Sequence, residues 1–207
     1  MTTPEAVIFD IGNVLIEWRP ERFYDRVIGE ARRKEMFAQV DLHAMNDKVD
    51  LGHPFTETIY ATAEANPAWR AEIRMWHDHW LELATPVIDH SLRLMRALQG
   101  KGVPVYCLTN FGIGSFAYAS EHYTFLKDFD RHYVSGHMGV IKPDPRIYRM
   151  VEEDCGLPPD RLIFVDDRAD NIAQAQSRGW RGHLFEHPQG WAQRLVAEGL
   201  LSEGEAA

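Results

Sequence analysis

The stretch that decides the fold is AVIFDIGNVL, residues 6–15. An apolar run that ends in an acid and then a glycine is typical of a buried strand with a carboxylate at its carboxyl end. Open α/β sheets bind their ligands at that end of the strands. Asp10 is therefore a candidate nucleophile or metal ligand. Gly12 stands where a second acid, two residues later, would complete an acid–base pair.

Further apolar runs predict more strands, at 103–108, 162–165, 131–134 and, in a short and weak form, 182–185. Helical patterns alternate with these runs at 87–98, 145–155 and 170–178, each closely followed by a glycine. Hydrophobicity that is nearly continuous, rather than alternating, indicates parallel strands covered on both faces. The sequence therefore predicts an α/β fold with a Rossmann-like, doubly wound parallel sheet.

One stretch breaks this alternation. Between residues 18 and 85 no convincing buried strand occurs, although helical patterns recur there. A crossover helix needs only about a dozen residues, so this stretch predicts an all-helical cap inserted after the first strand. We expect a core of residues 1–16 plus 86–207 and a cap of residues 17–85. Trp76 and Trp80, four positions apart, are expected to share one helix face in the cap core.

Composition excludes several classes of function. A net charge of −9 argues against nucleic-acid binding, and no apolar run approaches a membrane span. Two cysteines do not form a disulfide scaffold, and the N-terminus lacks the pattern of a signal peptide. We expect a cytoplasmic monomer or homodimer with a small-molecule partner and neither nucleic-acid nor membrane partners. The acidic tail at 202–207 is expected to fray.

Polar residues recur where the predicted strands end. Besides Asp10, these are Thr109 and Asn110 after the run at 103–108, Lys142 in a loop that leads into a helix, and the pair Asp166–Asp167. Taken singly, each has a simpler explanation as a cap, a turn residue or a solvated charge. Their coincidence at one sheet edge, and an acid pair that repels itself without a cation, favour a functional site.

The chemistry that fits this set is phosphoryl transfer through a carboxylate. Asp10 would attack phosphorus, while Mg²⁺ would be held by Asp10 and Asp167 together with water. Thr109 would hydrogen-bond the phosphoryl oxygens. Lys142 would offset the negative charge on the nucleophile and on the transferring group.

In this order and spacing, the motifs resemble those of the haloacid dehalogenase-like (HAD) hydrolase superfamily, subfamily I, with a helical cap of the first (C1) type. The resemblance implies that Asp10 is the nucleophile, Thr109 the phosphate-binding residue and Lys142 the charge-neutralising lysine. It also implies a magnesium site formed by Asp10, the backbone carbonyl of Gly12, Asp167 and, directly or through water, Asp166. Asn13 and Asn110 are further candidates for substrate binding.

Gly12 departs from the family's phosphatases, in which a second Asp protonates the leaving group. Loss of a positioned acid typically costs on the order of 10²–10⁴ in rate. Three interpretations remain open. The chain is a phosphatase with an easy leaving group or a substitute acid, a hydrolase that cleaves another bond, or a weakened phosphometabolite-binding protein. Glu17 is the nearest downstream carboxylate and a candidate substitute.

The 2-haloacid dehalogenases of the superfamily also lack the second Asp and use no metal. The stretch KPDPRIY, residues 142–148, is shared with them. Asp166 and Asp167 argue against this alternative, because without a cation they would place negative charge beside an anionic haloacid. The first and fourth motifs most resemble a bacterial subgroup that includes a glucose 1-phosphate phosphatase. We therefore expect a magnesium-dependent phosphatase of a small phosphorylated metabolite, a sugar phosphate being one candidate.

Overall fold

A parallel five-stranded sheet lies at the centre of the computed structural model, which describes residues 3–207. In chain order the strands are β1 (Ala6–Phe9), β2 (Ile16–Trp18), β3 (Ala84–Val87), β4 (Val105–Thr109), β5 (Arg131–Val134), β6 (Leu162–Asp166) and β7 (Arg181–Leu184). The sheet has the order β5-β4-β1-β6-β7, and every neighbouring pair in it is parallel. The predicted α/β class with a Rossmann-like sheet is confirmed.

Helices cover the sheet and form a separate lobe. They are α1 (Pro20–Ile28), α2 (Glu30–Gln39), α3 (Leu42–Asp50), α4 (Phe55–Ala65), α5 (Arg70–Asp78), α6 (Trp80–Leu83), α7 (Asp89–Gly100), α8 (Ile113–His122), α9 (Ser135–Met138), α10 (Pro145–Cys155), α11 (Ala169–Ser177) and α12 (Pro188–Ala197). The ends of α10 show why its bounds were predictable. Asp144 accepts a hydrogen bond from the Arg146 N–H, Pro145 occupies the first turn, and Gly156 ends the helix in the left-handed region.

No helix among residues 3–207 has the length and apolar character needed to cross a bilayer.

The two faces of the sheet bury different hydrophobic clusters. Val7 and Phe9 of β1 point to one cluster, which includes Trp191, whereas Ala6 and Ile8 point to the other. All residues of β1, β4 and β6 are buried. Burial on both faces is the reason for their nearly continuous apolar runs.

The lobe between β2 and β3 consists of helices α1 to α6 and has its own core, in which Tyr24, Met36, Ile73 and Trp76 are fully buried. We propose that this lobe is the cap predicted for residues 17–85. The antiparallel pair of β2 and β3 joins it to the sheet. The sequence did not reveal this pair, because both strands are very short and only partly buried.

Two details of the sequence interpretation were wrong. Trp76 and Trp80 do not share one helix, because α5 ends at Asp78, and Trp80 packs on Phe111 of the sheet domain with ring centroids 5.3 Å apart. The tail at 202–207 does not fray. Ala206 is buried, and its carbonyl oxygen accepts a hydrogen bond from His90 Nε2 at 2.9 Å.

Candidate active site

The carboxyl ends of β1, β4 and β6 meet at a cleft of about 350 Å³. Most of the predicted site residues line this cleft, although they come from distant parts of the chain: Asp10, Gly12, Asn13, Thr109, Asn110, Lys142 and Asp167. Asp166 lies beneath them and is fully buried. Parallel strands bring their carboxyl ends to one edge, and this is the physical reason why the predicted residues converge.

Lys142 is the electrostatic centre of the site, and its side chain is only 1% exposed. Its Nζ lies 3.0 Å from Asp10 Oδ1 and donates hydrogen bonds to Asp166 Oδ2 at 2.6 Å and to the carbonyl oxygen of Leu108 at 2.8 Å. Burial by itself would lower the pKa of Lys142, but the two carboxylates outweigh it and raise that pKa. The ammonium group is therefore charged and held in place.

Asp10 lies where the sequence predicted a nucleophile, 7% exposed at the end of β1. Its Oδ1 accepts a hydrogen bond from the Ile11 N–H at 2.8 Å, in addition to its ion pair with Lys142. Burial and, to a smaller extent, the charges of Asp166 and Asp167 raise the pKa of Asp10 to about 7, against the opposing effect of Lys142. Three carboxyl groups thus share one lysine, and among these four groups the possible negative charge exceeds the positive charge.

Asp166 and Asp167 are adjacent but occupy different environments. Both oxygens of Asp166 accept hydrogen bonds from Asn171 Nδ2, and the Arg168 N–H donates to its Oδ1, besides the bond from Lys142. Asp167 is partly exposed to the cleft, and burial and the Asp166 charge raise its pKa. The surroundings of Asp166 fit a residue that fixes its neighbours, whereas Asp167 faces the cleft.

Carboxylate oxygens of Asp10, Asp166 and Asp167 lie within 4.8 Å of one another and could together hold a metal ion. Hard oxygen donors of this kind suit Mg²⁺, and a divalent cation would supply the missing positive charge. The residues present therefore fit the predicted metal.

Asn13 and Asn110, both predicted to bind substrate, are engaged with the protein. Asn13, at φ 56°, accepts a hydrogen bond from the Trp18 N–H and donates to Asp167 Oδ2 at 2.9 Å. Asn110 accepts from the Lys142 N–H at 2.8 Å and donates to the Lys142 carbonyl oxygen at 3.0 Å. Both amides thus orient charged site residues, and their predicted contact with substrate stays a prediction. Thr109, 1% exposed, lines the cleft as expected.

Sequence reasoning missed the part of the cleft that the helical lobe contributes. It includes polar and aromatic residues of β2, α1, α3 and α6: Trp18, Glu21, His43, Asn46, Asp47, Asp50 and Trp80. The position of Asp50 could have indicated a special role, because an acid at the carboxyl end of a helix is electrostatically unfavourable. Glu17, the predicted substitute acid, is paired with Arg22 at 2.6 Å, and among residues 3–207 it is not one of those that line the cleft.

Known proteins resemble this chain in sequence and structure. Over 198 residues it is 27% identical to the sesquiterpene phosphatase astK of Aspergillus oryzae, and this alignment covers 89% of this chain and 92% of that protein. It is 42% identical over 207 residues to drimenol cyclase drtB of Aspergillus calidoustus. This alignment covers 97% of this chain but 37% of the length of that protein.

A solved structure shares the fold. The HAD family enzyme bt-2542 of Bacteroides thetaiotaomicron, in complex with magnesium and inorganic phosphate, matches with a TM-score of 0.68 and 23% identity, over 89% of this chain and 95% of that chain. The family model described as "haloacid dehalogenase-like hydrolase" matches residues 4–179 and thereby includes every predicted site residue. The chain belongs to the haloacid dehalogenase-like hydrolases.

Proposed function

We propose that the chain is a magnesium-dependent phosphatase that hydrolyses a small phosphorylated metabolite through an aspartyl-phosphate on Asp10. The observation that carries this proposal is the cluster of Asp10, Asp166 and Asp167 around the single buried Lys142. A dianionic phosphate enters such a site only when a cation offsets the carboxylates. Magnesium, when bound, supplies that charge.

Each residue then has a role that follows from its contacts. Asp10 Oδ1 is held by Lys142 and the Ile11 N–H, which fixes the direction of the carboxylate towards the cleft. Asp10 and Asp167, which both face the cleft, would hold the metal together with the Gly12 carbonyl oxygen. Asp166 would assist mainly by orienting Lys142, to which it is bonded at 2.6 Å.

Phosphate binding would fall to Thr109 and to backbone N–H groups at the end of β1. The Thr109 hydroxyl lies at the end of β4, next to the loop that Asn110 ties to Lys142. Asn13 would keep Asp167 in position through its hydrogen bond at 2.9 Å. Fixed donors and charges of this kind stabilise the charge that develops during phosphoryl transfer.

The alternative of a metal-independent haloacid dehalogenase fits the cleft less well. A haloacid is an anion, and Asp167 would face it without an offsetting cation. The name of the Aspergillus oryzae relative also supports a phosphatase. We therefore keep the dehalogenase activity as an outcome that the experiment must exclude.

For the substrate we propose a sugar phosphate, as in the glucose 1-phosphate phosphatase subgroup that the motifs resemble. Polar groups of Asn46, Asp47 and His43 line the cleft beside the aromatic rings of Trp18 and Trp80. Hydroxyl groups would find hydrogen-bond partners there, and the face of a sugar ring would pack on an indole.

A second candidate substrate is a phosphorylated terpenoid. The observation that favours it is the apolar part of the cleft, where Trp18, Trp80, Phe111, Ile16 and Ala84 lie together. The sesquiterpene phosphatase relative, which aligns with nearly the whole chain, points in the same direction.

The test is release of inorganic phosphate by the purified protein from two panels, sugar phosphates and prenyl phosphates, with Mg²⁺ or with EDTA. We expect release that EDTA abolishes and that favours the sugar panel. Preference for the prenyl panel would select the second candidate. Halide release from 2-haloalkanoates in EDTA, with all phosphates untouched, would contradict the phosphatase proposal.

A further inference from the structure

The cleft raises a question that Gly12 leaves open, namely which group protonates the leaving oxygen. Besides the cluster of Asp10, Asp166 and Asp167, three carboxyl groups among the described residues line the cleft. They belong to Glu21, Asp47 and Asp50, and all three come from the helical lobe. Glu21 lies 3.3 Å from His43 Nε2, and both side chains are largely exposed at the rim. Asp47 is exposed as well. Asp50, by contrast, is 8% exposed.

The hydrogen bonds of Asp50 leave its proton free for the cleft. Asn46 Nδ2 donates to Asp50 Oδ2 at 2.9 Å, and the orientation of this amide is fixed because its oxygen accepts from Trp76 Nε1 at 3.1 Å. The backbone N–H of Gly112 lowers the pKa of the carboxyl, as a nearby donor group does. Since Asn46 Nδ2 and the Gly112 N–H are both donor groups, neither takes up the proton of a neutral carboxyl group.

The sheet domain holds the backbone of Asp50 in place. Ser135 Oγ donates to the Asp50 carbonyl oxygen at 2.6 Å and accepts from the Phe111 N–H at 2.9 Å. A single hydroxyl therefore ties the end of α3 to the loop after β4. Gly112 makes this approach possible, because a Cβ there would lie 2.9 Å from the Val49 carbonyl oxygen.

A purely structural role does not explain this acid. Asp50 is the last residue of α3, where the helix dipole disfavours a negative charge. Burial and, to a smaller extent, Asp47 and Asp10 raise the pKa of Asp50 to about 8, against the opposing effects of the Gly112 N–H and Lys142. The carboxyl group is therefore protonated at neutral pH, as a general acid must be.

We propose that Asp50 is the general acid and base of the reaction, in place of the carboxyl group that Gly12 lacks. The proposal rests on the proposed phosphatase function. In the first step Asp10 attacks phosphorus, the bond from phosphorus to the leaving oxygen breaks, and the Asp50 proton passes to that oxygen. In the second step water attacks the phosphorus of the aspartyl-phosphate and gives a proton to the Asp50 carboxylate. The bond from phosphorus to Asp10 breaks, phosphate leaves, and both side chains return to their starting states.

The test compares Asp50→Asn with the wild type in Mg²⁺ on two esters, p-nitrophenyl phosphate and an alkyl phosphate. An alkoxide needs a proton to leave, whereas p-nitrophenolate does not. We expect kcat for the alkyl ester to fall by about 10²–10⁴, and kcat for the nitrophenyl ester to fall by less than about tenfold. The decline of wild-type kcat on the alkyl ester at alkaline pH should also disappear in the variant.

Two control variants and one rescue sharpen the result. Asp25→Asn and Asp78→Asn change acids of the lobe that do not line the cleft, and they should keep the wild-type ratio of the two rates. His43→Gln tests the imidazole at the rim as an alternative source of the proton. Gly12→Asp, introduced into Asp50→Asn, should restore turnover of the alkyl ester. The Cβ it adds has room, since its nearest neighbour is Trp18 Cβ at 3.9 Å.

Equal losses on both esters in Asp50→Asn would overturn the proposal and leave the phosphatase function intact. A selective loss in His43→Gln instead would assign the acid to His43. If the wild type releases no phosphate from any ester in Mg²⁺, the proposed function fails, and the role of Asp50 fails with it.

Discussion

The sheet edge and the helical lobe contribute to the same cleft in different ways. At the sheet edge, Lys142 binds both Asp10 and Asp166 directly, so the geometry of the three groups is independent of any substrate. The lobe contributes the aromatic rings of Trp18 and Trp80 and also Asp50, whose backbone is held by Ser135 at the start of α9. The sheet edge therefore sets the reaction type, and the lobe is the region that can set substrate choice and proton transfer.

The largest effect should follow from a change at the sheet edge that removes the nucleophile. Asp10→Asn keeps an oxygen for Lys142 and the Ile11 N–H but cannot form the covalent intermediate. We expect phosphate release to fall by at least about 10³-fold on every ester, whatever the leaving group. Circular dichroism should show an unchanged fold. Residual turnover above that level would show that Asp10 is not the nucleophile.

Lys142→Met tests whether the sheet edge depends on its one buried cation. The change leaves Asp10 and the fully buried Asp166 without their cationic partner, and such losses cost about 3–5 kcal/mol in the free energy of unfolding. Urea denaturation measures the difference.

The matched control is Lys101→Met, which breaks an ion pair with Glu205 whose side chains are both 40% exposed. Pairs of this kind contribute at most about 1 kcal/mol. Equal losses in the two lysine variants would contradict the central role of Lys142.

In the lobe, Asp50→Asn should increase stability at high pH. The pKa of Asp50 rises from an ordinary value of 3.8 to about 8 on folding, because burial disfavours the charged carboxylate. Between these two values the folded state holds a proton that the unfolded chain releases, so wild-type stability decreases as pH rises. In EDTA, the difference between the Tm of Asp50→Asn and the Tm of the wild type should increase in favour of the variant from pH 4 to pH 8. A constant difference would show that Asp50 does not titrate in this window.

The smallest effect concerns the contact that joins the two regions. Ser135→Ala removes the hydroxyl between Asp50 and the Phe111 N–H, and we expect a loss of about 1–2 kcal/mol in the free energy of unfolding. Turnover of an alkyl phosphate should fall more than that of p-nitrophenyl phosphate, because Asp50 loses its anchor. Ser120→Ala is the control, since its hydroxyl bonds only to Phe116 O within the same helix. The same ratio of rates in both serine variants would contradict the anchoring role.

Much of the sheet domain could be predicted from the sequence. The strands at Ala6–Phe9 and Arg131–Val134 and helix α10 have the predicted bounds, and the remaining predicted strands and helices lie within two residues of theirs. These elements are either buried on both faces or bounded by clear caps, and both properties leave a local mark in the sequence.

The structures of the lobe and the tail were less predictable than that of the sheet domain, because contacts with residues distant in the chain determine the positions of their side chains. The short strands β2 and β3 exist only as a pair. Trp80 leaves the lobe core for Phe111, 31 positions later in the chain, and Ala206 is fixed by His90. Helical periodicity describes neighbours along one element and contains no information about such partners.

The sequence by itself determined that an acid, a hydroxyl residue, a lysine and an acid pair follow strands of one parallel sheet. Strand ends of such a sheet converge, so the motifs were sufficient to place these residues together. Only the tertiary structure decided that Asp166 is enclosed by donors while Asp167 faces the cleft, since that depends on Asn171 and Asn13. It likewise decided that Glu17 pairs with Arg22 and that Asp50 lines the cleft. The environment of a carboxyl group comes from whatever packs around it, and that packing joins residues far apart in the chain.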